Sequence, residues 1–524
     1  MFSRLNRRWP LLVLLIVPFM VSVVGYFFLV AAFPLHSGSA GYDQDPAYAY
    51  LFNGLLILDG QAPHHIDHPG TPLQIIFAIV IFLQWQLNKV FGNDTQSLID
   101  SVIAQPEAYL FAVAILLFVL NLWALCFFGR RIYQASGKLV LGVFCQLSLL
   151  SFVLMAPKAV YPAPEALLIF VSLCLLGLVA PQIFGQTTTT PNEQQHKLSL
   201  WVGLLVGLGL AVKVTFAPMA LVLFLLKKRQ RRYAIVWVII SFGILTAIAL
   251  PQAARFFSWL SNIVSHSGIH GSGQASVLSL SSIPVNAFNL WVWFPFFCAA
   301  LFFSMIVLVF LWLTKAGIQT RAVWLLILIA LLQSVLVLKH PGAHYMVPVL
   351  PIAFVLMAWV YIHVSVSSPW LRQAGVLITL LFVAHSMALT VRGIQKLTVQ
   401  REEMTIAMAD ISQILAQHPD AIVICSFRCA LPQYALSMAL IYAPGLITKK
   451  TMARLRNFYD FDIFVSLLIS PNHDPLSSAV VLDLLKEGHS VVLVTPRLYP
   501  QLSVFKTEAI LTHKAQSLFQ VLMP

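Results

Sequence analysis

The sequence predicts a polytopic all-α membrane domain of about eleven transmembrane helices, followed by a small soluble α/β domain. Three observations predict it. The 524 residues are 59% hydrophobic and only 10% charged, outside the range of soluble globular chains. Apolar runs long enough to cross roughly 30 Å of hydrocarbon, at about 20 residues each, recur from Pro10 to Arg392. Beyond Arg392 the charge density becomes ordinary, and strand-like and helix-like runs alternate. The expected division is residues 1–392 in the membrane, with a long first outer loop over 35–106, and residues 393–524 as an extracytoplasmic domain.

In chain order, spans are expected over 10–33, 107–129, 138–157, 164–184, 199–212, 216–226, 233–253, 286–314, 321–338, 345–364 and 371–391. The first has a basic start but is longer than a signal-peptide core and lacks a clear cleavage site, so it reads as a retained helix. Two choices fix the orientation. If 70–91 lies along the membrane surface, and 198–226 breaks between Lys213 and Pro218, the basic clusters fall on one side. These are Arg4/Arg7/Arg8, Arg130/Arg131/Lys138, Lys227 to Arg232, Lys315/Arg321 and Arg372. That side is the cytoplasm by the positive-inside rule, and the expected location is the plasma (inner) membrane. The formal charge of +13 is thereby assigned to topology, and no nucleic-acid partner is expected. Gln186 to Lys197 reads as a polar linker. In the tail, Ala421 to Cys425, Phe461 to Ile469 and Ser490 to Thr495 read as buried strands. Cys425 and Cys429 could pair there. Cys126, Cys145, Cys174 and Cys298 fall in apolar helices and read as inert packing residues.

The carboxylates are distributed unevenly. No Asp or Glu occurs between Glu193 and Glu402, so acid–base chemistry in the membrane half must draw on its first third. Asp43, Asp45, Asp59, Asp67, Asp94, Asp100 and Glu107 fall in or at the edge of the first outer loop, and Glu165 opens a helix on the same face. Asp43 and Asp45 stand just before an amphipathic stretch ending at Gly60. Asp45 before Pro46 also suits a helix N-cap with Pro at the first position, and Glu165 after Pro164 suits a helix dipole. Cations expected on that face are Lys89, Lys158, Lys213, Arg255 and Lys339, with His68, His266, His270, His340 and His344. Lys213 and Lys339 sit at breaks between helices, where a phosphate could meet a side chain and free backbone N–H groups. Snorkelling at the membrane edge is the plainer account of each.

Gly203, Gly207 and Gly209 before Lys213 lack the Gly-Lys-Ser/Thr of a phosphate loop, and small residues at that spacing pack membrane helices. The histidines at 64, 65 and 68 with Asp67, or at 266 and 270, match no standard metal spacing. No metal or other cofactor is therefore assigned, with a divalent ion as the alternative. Ser265 to Gln274 reads as a segment covering the site.

At these residues the sequence resembles the GT-C membrane glycosyltransferases, especially the branch of protein O-mannosyltransferases and lipid A aminoarabinose transferases. Asp45-Pro46-Ala47-Tyr48 followed by Gly60 is similar to that branch's Asp-Glu-x-Tyr opening, with Pro46 in place of the second acid. His68-Pro69-Gly70-Thr71-Pro72-Leu73 resembles its His-Pro-Pro-Leu signature with an insertion, and Ala163-Pro164-Glu165-Ala166-Leu167 its second acidic motif. Gly203 to Lys213 resembles its Gly-rich helix ending in Lys, and His344-Tyr345-Met346-Val347-Pro348 to Pro351 its late Tyr-x-x-Pro-x-x-Pro segment. The motifs cover about residues 10–392 in the family's order.

The resemblance implies a GT-C fold and a polyprenyl-phosphate sugar donor entering from the bilayer, with a glycan, lipid or protein as acceptor. Such a transfer passes through an oxocarbenium-like state and needs one carboxylate base for the acceptor hydroxyl. Its phosphate leaving group needs cations. The expected base is Asp45, with Asp43 and Glu165 orienting it or the acceptor. Lys213, Lys339, Arg255 and His68 are expected at the donor phosphate, and His266, His270, His344 and Tyr345 around the substrate. One essential carboxylate predicts inversion. A lipid or sugar transporter or flippase is the rival, although such carriers place ionisable groups near the midplane, often in repeated halves.

Overall fold

The computed structural model describes residues 9–32, 46–66, 70–92, 96–185, 192–266, 280–313, 320–364, 369–417, 421–425, 442–446, 463–464, 485–488, 490–495, 506–512 and 517–522. Asp43, Asp45, His68, His270, Cys429 and the Cys425 side chain lie outside them.

Among the described residues nine helices are long and apolar enough to cross a membrane. They are Trp9–Val30, Thr71–Phe91, Pro106–Ser136, Pro164–Ile183, Glu193–Val212, Lys228–Ser265, Pro295–Leu313, Arg321–Lys339 and Val376–Ala416. Shorter apolar helices cover Ala47–Leu58, Leu139–Leu149, Val214–Leu225 and Leu350–His363. The protein is thus a multi-pass, mainly α-helical membrane protein.

Departures from the expected eleven spans have local causes. The run 138–157 forms Leu139–Gln146, a 3-10 turn Leu147–Leu149, and Met155–Val160. Polar side chains here are satisfied by main chain: the Gln146 amide donates to the carbonyls of Leu14 at 3.0 Å and Leu125 at 3.2 Å. The run 286–314 divides into Ile283–Trp293 and Pro295–Leu313. Proline disfavours helical geometry in the residue before it, and Phe294 accordingly leaves the helix at φ −137°. The run 371–391 continues through a polar stretch carrying Gln395, Lys396, Gln400, Arg401, Glu402 and Glu403, mostly good helix formers, into one 48-residue helix, Pro369–Ala416. The break expected at Lys213 is present: Asn192–Val212 ends there, Lys213 is extended, and a 3-10 helix runs Val214–Leu225.

The chain divides into two compact units, one of Met1–Tyr26, Ile66–Leu73 and Ala114–Arg392, the other of Phe27–His65, Gln74–Val113 and Gly393–Pro524. In the first, glycines let helices approach closely, as lipid-embedded packing requires. A Cβ on Gly203 would lie 2.4 Å from the Ala234 carbonyl, and one on Gly207 2.7 Å from Ser241 Cβ. Phe152, Phe294, Phe296 and Phe354 form an aromatic cluster with ring centroids 4.8–6.1 Å apart.

In the second unit, the stretch expected to be amphipathic is instead buried on every side from Ala47 to Leu56. Its helix starts at Ala47, with Pro46 rather than Asp45 in the flanking position. A Cβ on Gly54 would stand 2.7 Å from Phe77 Cβ, so glycine is what lets the Thr71–Phe91 helix pack so near. Arg401 donates to the Val30 carbonyl.

The tail forms a mixed sheet of β1 (Ile422–Cys425), β2 (Ile463–Phe464), β3 (Val491–Thr495), β4 (Lys506–Thr512) and β5 (Ser517–Leu522), in the order β2-β1-β3-β5-β4. β1 is parallel to β2 and β3, with Val423 opposite Ile463 and Val492. β5 is antiparallel to β3 and β4. The first and third expected strands are present, of the second only Ile463–Phe464 lies among the described residues, and the β4–β5 pair is additional.

Candidate functional site

In the first unit a charged cluster is assembled at helix ends. Glu165 opens the Pro164–Ile183 helix, with Pro164 supplying the fixed φ that suits a first position. Lys213 stands at the break after Asn192–Val212, its backbone N–H still bonded to Gly209 at 3.0 Å and its carbonyl to Phe216 N–H at 2.9 Å. Gly209 permits this, since a Cβ there would lie 2.3 Å from the Phe216 ring. Lys213 Nζ meets Glu165 Oε1 at 2.8 Å, with both side chains at most 5% exposed. The same ammonium lies 4.8 Å from the centroid of Tyr345, within the reach of a cation–π contact.

Tyr345 belongs to a 3-10 turn, Ala343–Met346. His344 and Tyr345 have ring centroids 4.1 Å apart. A Cβ on Gly342 would come 2.9 Å from the Tyr345 ring, so a side chain there would displace that ring. Lys158 and His344 both lie within electrostatic reach of the Glu165 carboxylate. Lys158 is half-buried, with its Nζ 5.3 Å from the Tyr161 ring centroid.

Of the residues expected at a site, Glu165, Lys213, His344 and Tyr345 are therefore brought together. Lys339 is engaged elsewhere, donating to the Val264 carbonyl at 2.7 Å. His266 follows that segment, its Nδ1 2.9 Å from Ser265 Oγ. Arg255 is exposed on the Ala253–Ser265 helix. Among the described residues no three His, Cys, Asp or Glu side chains gather as a metal site would require.

The second unit holds a different arrangement. Tyr48 donates its phenol to Glu107 at the start of the Pro106–Ser136 helix. Asn53, buried in Ala47–Leu58, accepts the backbone N–H of His64 at 2.5 Å and of His65 at 2.9 Å, and donates to Ala49 at 2.7 Å and to the Tyr442 carbonyl at 3.3 Å. Gln74 donates to the His65 carbonyl at 2.6 Å. The His65 ring meets Tyr50 and Tyr442 edge-on, with centroids 5.5 and 5.2 Å away.

Sequence reasoning placed Lys158 and Glu107 on the expected face without giving them a role, and passed over Asn53 and two buried carboxamides, Asn121 and Gln333. The signal available for the last two was a polar side chain interrupting an otherwise apolar run.

No protein-family model matches the sequence, and no curated protein matches it. Among solved structures the chain is similar to ArnT from Cupriavidus metallidurans bound to undecaprenyl phosphate, at 13% identity and TM-score 0.49, over 95% of this chain and 97% of that one. The apo state of the same protein is similar at 13% identity and TM-score 0.48, over 96% and 97%. These values assign neither activity nor ligand to this chain.

Proposed function

We propose that this protein is a GT-C type glycosyltransferase that moves a sugar from a polyprenyl-phosphate donor to an acceptor on the extracytoplasmic face, with inversion. The supporting sequence evidence is the colinear set of motifs from Asp45 to Pro351. The observation that carries the proposal is the buried Glu165–Lys213–Tyr345 cluster with Lys158 beside it.

In the reaction the acceptor oxygen forms a bond to the sugar's anomeric carbon as the carbon–phosphate oxygen bond breaks. The bonding pair leaves on polyprenyl phosphate, which gains negative charge, and the acceptor proton passes to a carboxylate. Asp45 is assigned that proton, with Asp43 beside it in sequence. The growing charge on the phosphate needs cations, and one not already neutralised contributes most. Lys213 is matched by Glu165, whereas the Lys158 ammonium has no hydrogen-bond acceptor among the described residues. Lys158 is therefore the first cation assigned to the phosphate. Lys213 is held rigid by Glu165 and Tyr345 to supply the second, and His344 adds a donor.

The test is binding of undecaprenyl phosphate to the purified protein, together with mass analysis of envelope glycans and lipids from cells lacking it. Saturable binding and an acceptor accumulating one sugar short are expected. An unchanged glycan profile with the lipid-linked donor trapped on one leaflet would replace this reading with a flippase.

A further inference from the structure

Two buried carboxamides stand behind the charged cluster, each aimed at main chain. Asn121, midway along Pro106–Ser136, is 1% exposed. Its Nδ2 lies within hydrogen-bond distance of the carbonyls of Ala159 at 2.9 Å, Ala166 at 3.0 Å and Leu117 at 3.0 Å, so its two N–H groups serve three acceptors with one of them shared. Ala159 directly follows Lys158 and Ala166 directly follows Glu165, so one amide group ties both arms of the turn that carries these two charges. Gln333, fully buried in Arg321–Lys339, does the same for the other turn: its Nε2 donates to the Tyr345 carbonyl at 2.6 Å.

Neither side chain is used as an acceptor. Asn121 Oδ1 and Gln333 Oε1 are buried and have no hydrogen-bond partner among the described residues. An unmet buried acceptor is costly, and an apolar side chain in the same helix would avoid that cost. What the carboxamide adds is donation to a chosen carbonyl. The Glu165–Lys213 pair depends on that placement, because a buried ion pair stabilises only when its geometry is held.

We infer that Asn121 and Gln333 are positioning residues for the proposed phosphate site. Asn121 fixes Lys158 and Glu165, and Gln333 fixes His344 and Tyr345. The inference rests on the transferase reading for its consequence in binding, though not for the bracing itself.

The experiment compares Asn121→Leu, Asn121→Asp and Gln333→Leu with wild type in three measurements: affinity for undecaprenyl phosphate, thermal unfolding midpoint, and hydrogen exchange over residues 157–166 and 342–348. Leucine fills the space and cannot donate. A buried Asp is kept neutral by desolvation, so its O–H restores one of the lost bonds. Asn121→Leu is expected to weaken undecaprenyl phosphate roughly ten-fold, about one lost hydrogen bond, and to speed exchange over 157–166 without a matching fall in unfolding midpoint. Asn121→Asp is expected to recover part of the affinity. Gln333→Leu should speed exchange over 342–348 alone.

Wild-type affinity and wild-type exchange in folded Asn121→Leu and Gln333→Leu would overturn the inference. So would affinity lost only in proportion to a lowered unfolding midpoint. If Asn121→Leu does not fold, Asn121→Asp and Gln333→Leu decide. Should the wild-type protein itself ignore undecaprenyl phosphate, the transferase reading fails, and the exchange measurements still decide whether the amides brace the two turns.

Discussion

Each compact unit places a glutamate at the first turn of an apolar helix, Glu165 buried and Glu107 half-buried, and the two are met differently. Glu165 is met by a full counter-charge, Lys213, itself packed against an aromatic face. Glu107 is met by a neutral phenol, Tyr48, while the polar groups around Asn53 are spent on backbone N–H and C=O groups. The first arrangement leaves a concentration of charge that a ligand can use. The second fixes the main chain around His64 and His65. A carboxylate at a helix start therefore indicates neither role by itself; its partner distinguishes them.

That contrast can be broken most sharply at Lys213. Lys213→Met strands a buried carboxylate and is expected to cost about 3–5 kcal/mol of stability and to abolish sugar transfer. Combined with Glu165→Gln, the destabilisation should shrink well below the sum, as a double-mutant cycle in thermal unfolding would reveal. Restored stability without restored transfer would separate folding from chemistry. Tyr48→Phe removes one hydrogen bond to a carboxylate and should cost about 1.5–3 kcal/mol, with transfer falling only as far as folded protein does. Asn53→Leu withdraws the acceptor from two backbone N–H groups, at about 1–3 kcal/mol, and should expose the 61–66 segment to proteolysis. Lys158→Gln is the smallest in stability, leaving the unfolding midpoint near wild type. It should nevertheless weaken undecaprenyl phosphate roughly ten-fold, the size of one charge-assisted bond. Asp45→Asn extends the set beyond the described residues: transfer lost at normal protein level is expected, and a large drop in level would give Asp45 a structural role in place of the base.

Much of the membrane architecture was legible because hydropathy and length report directly on the hydrocarbon. The break at Lys213 was readable for the same reason, a lone cation between two apolar runs. Other features depended on contacts that periodicity does not encode. The segment 47–59 has polar-looking punctuation at Asn53, Gly54 and Asp59, yet Asn53 is buried because the backbone of residues 64 and 65 satisfies it. The β4–β5 pair escaped notice because Lys506–Thr512 alternates weakly and is largely exposed, with a register shift between Ala509 and Leu511. At the candidate site, Glu165, Lys213, His344 and Tyr345 were found by motif. Lys339 could not be told apart from them, since only the fold shows its ammonium spent on Val264.

The length of the helix Pro369–Ala416 decides which solvent each part of it meets. At about 1.5 Å of rise per residue, its 48 residues amount to a rod roughly twice as long as a bilayer's oily interior is deep. Such a rod cannot be housed in lipid alone, and the cluster Arg392, Lys396, Arg401, Glu402 and Glu403 marks the portion built for water. One continuous element thus meets two solvents, its first half matched to hydrocarbon and its second half to water.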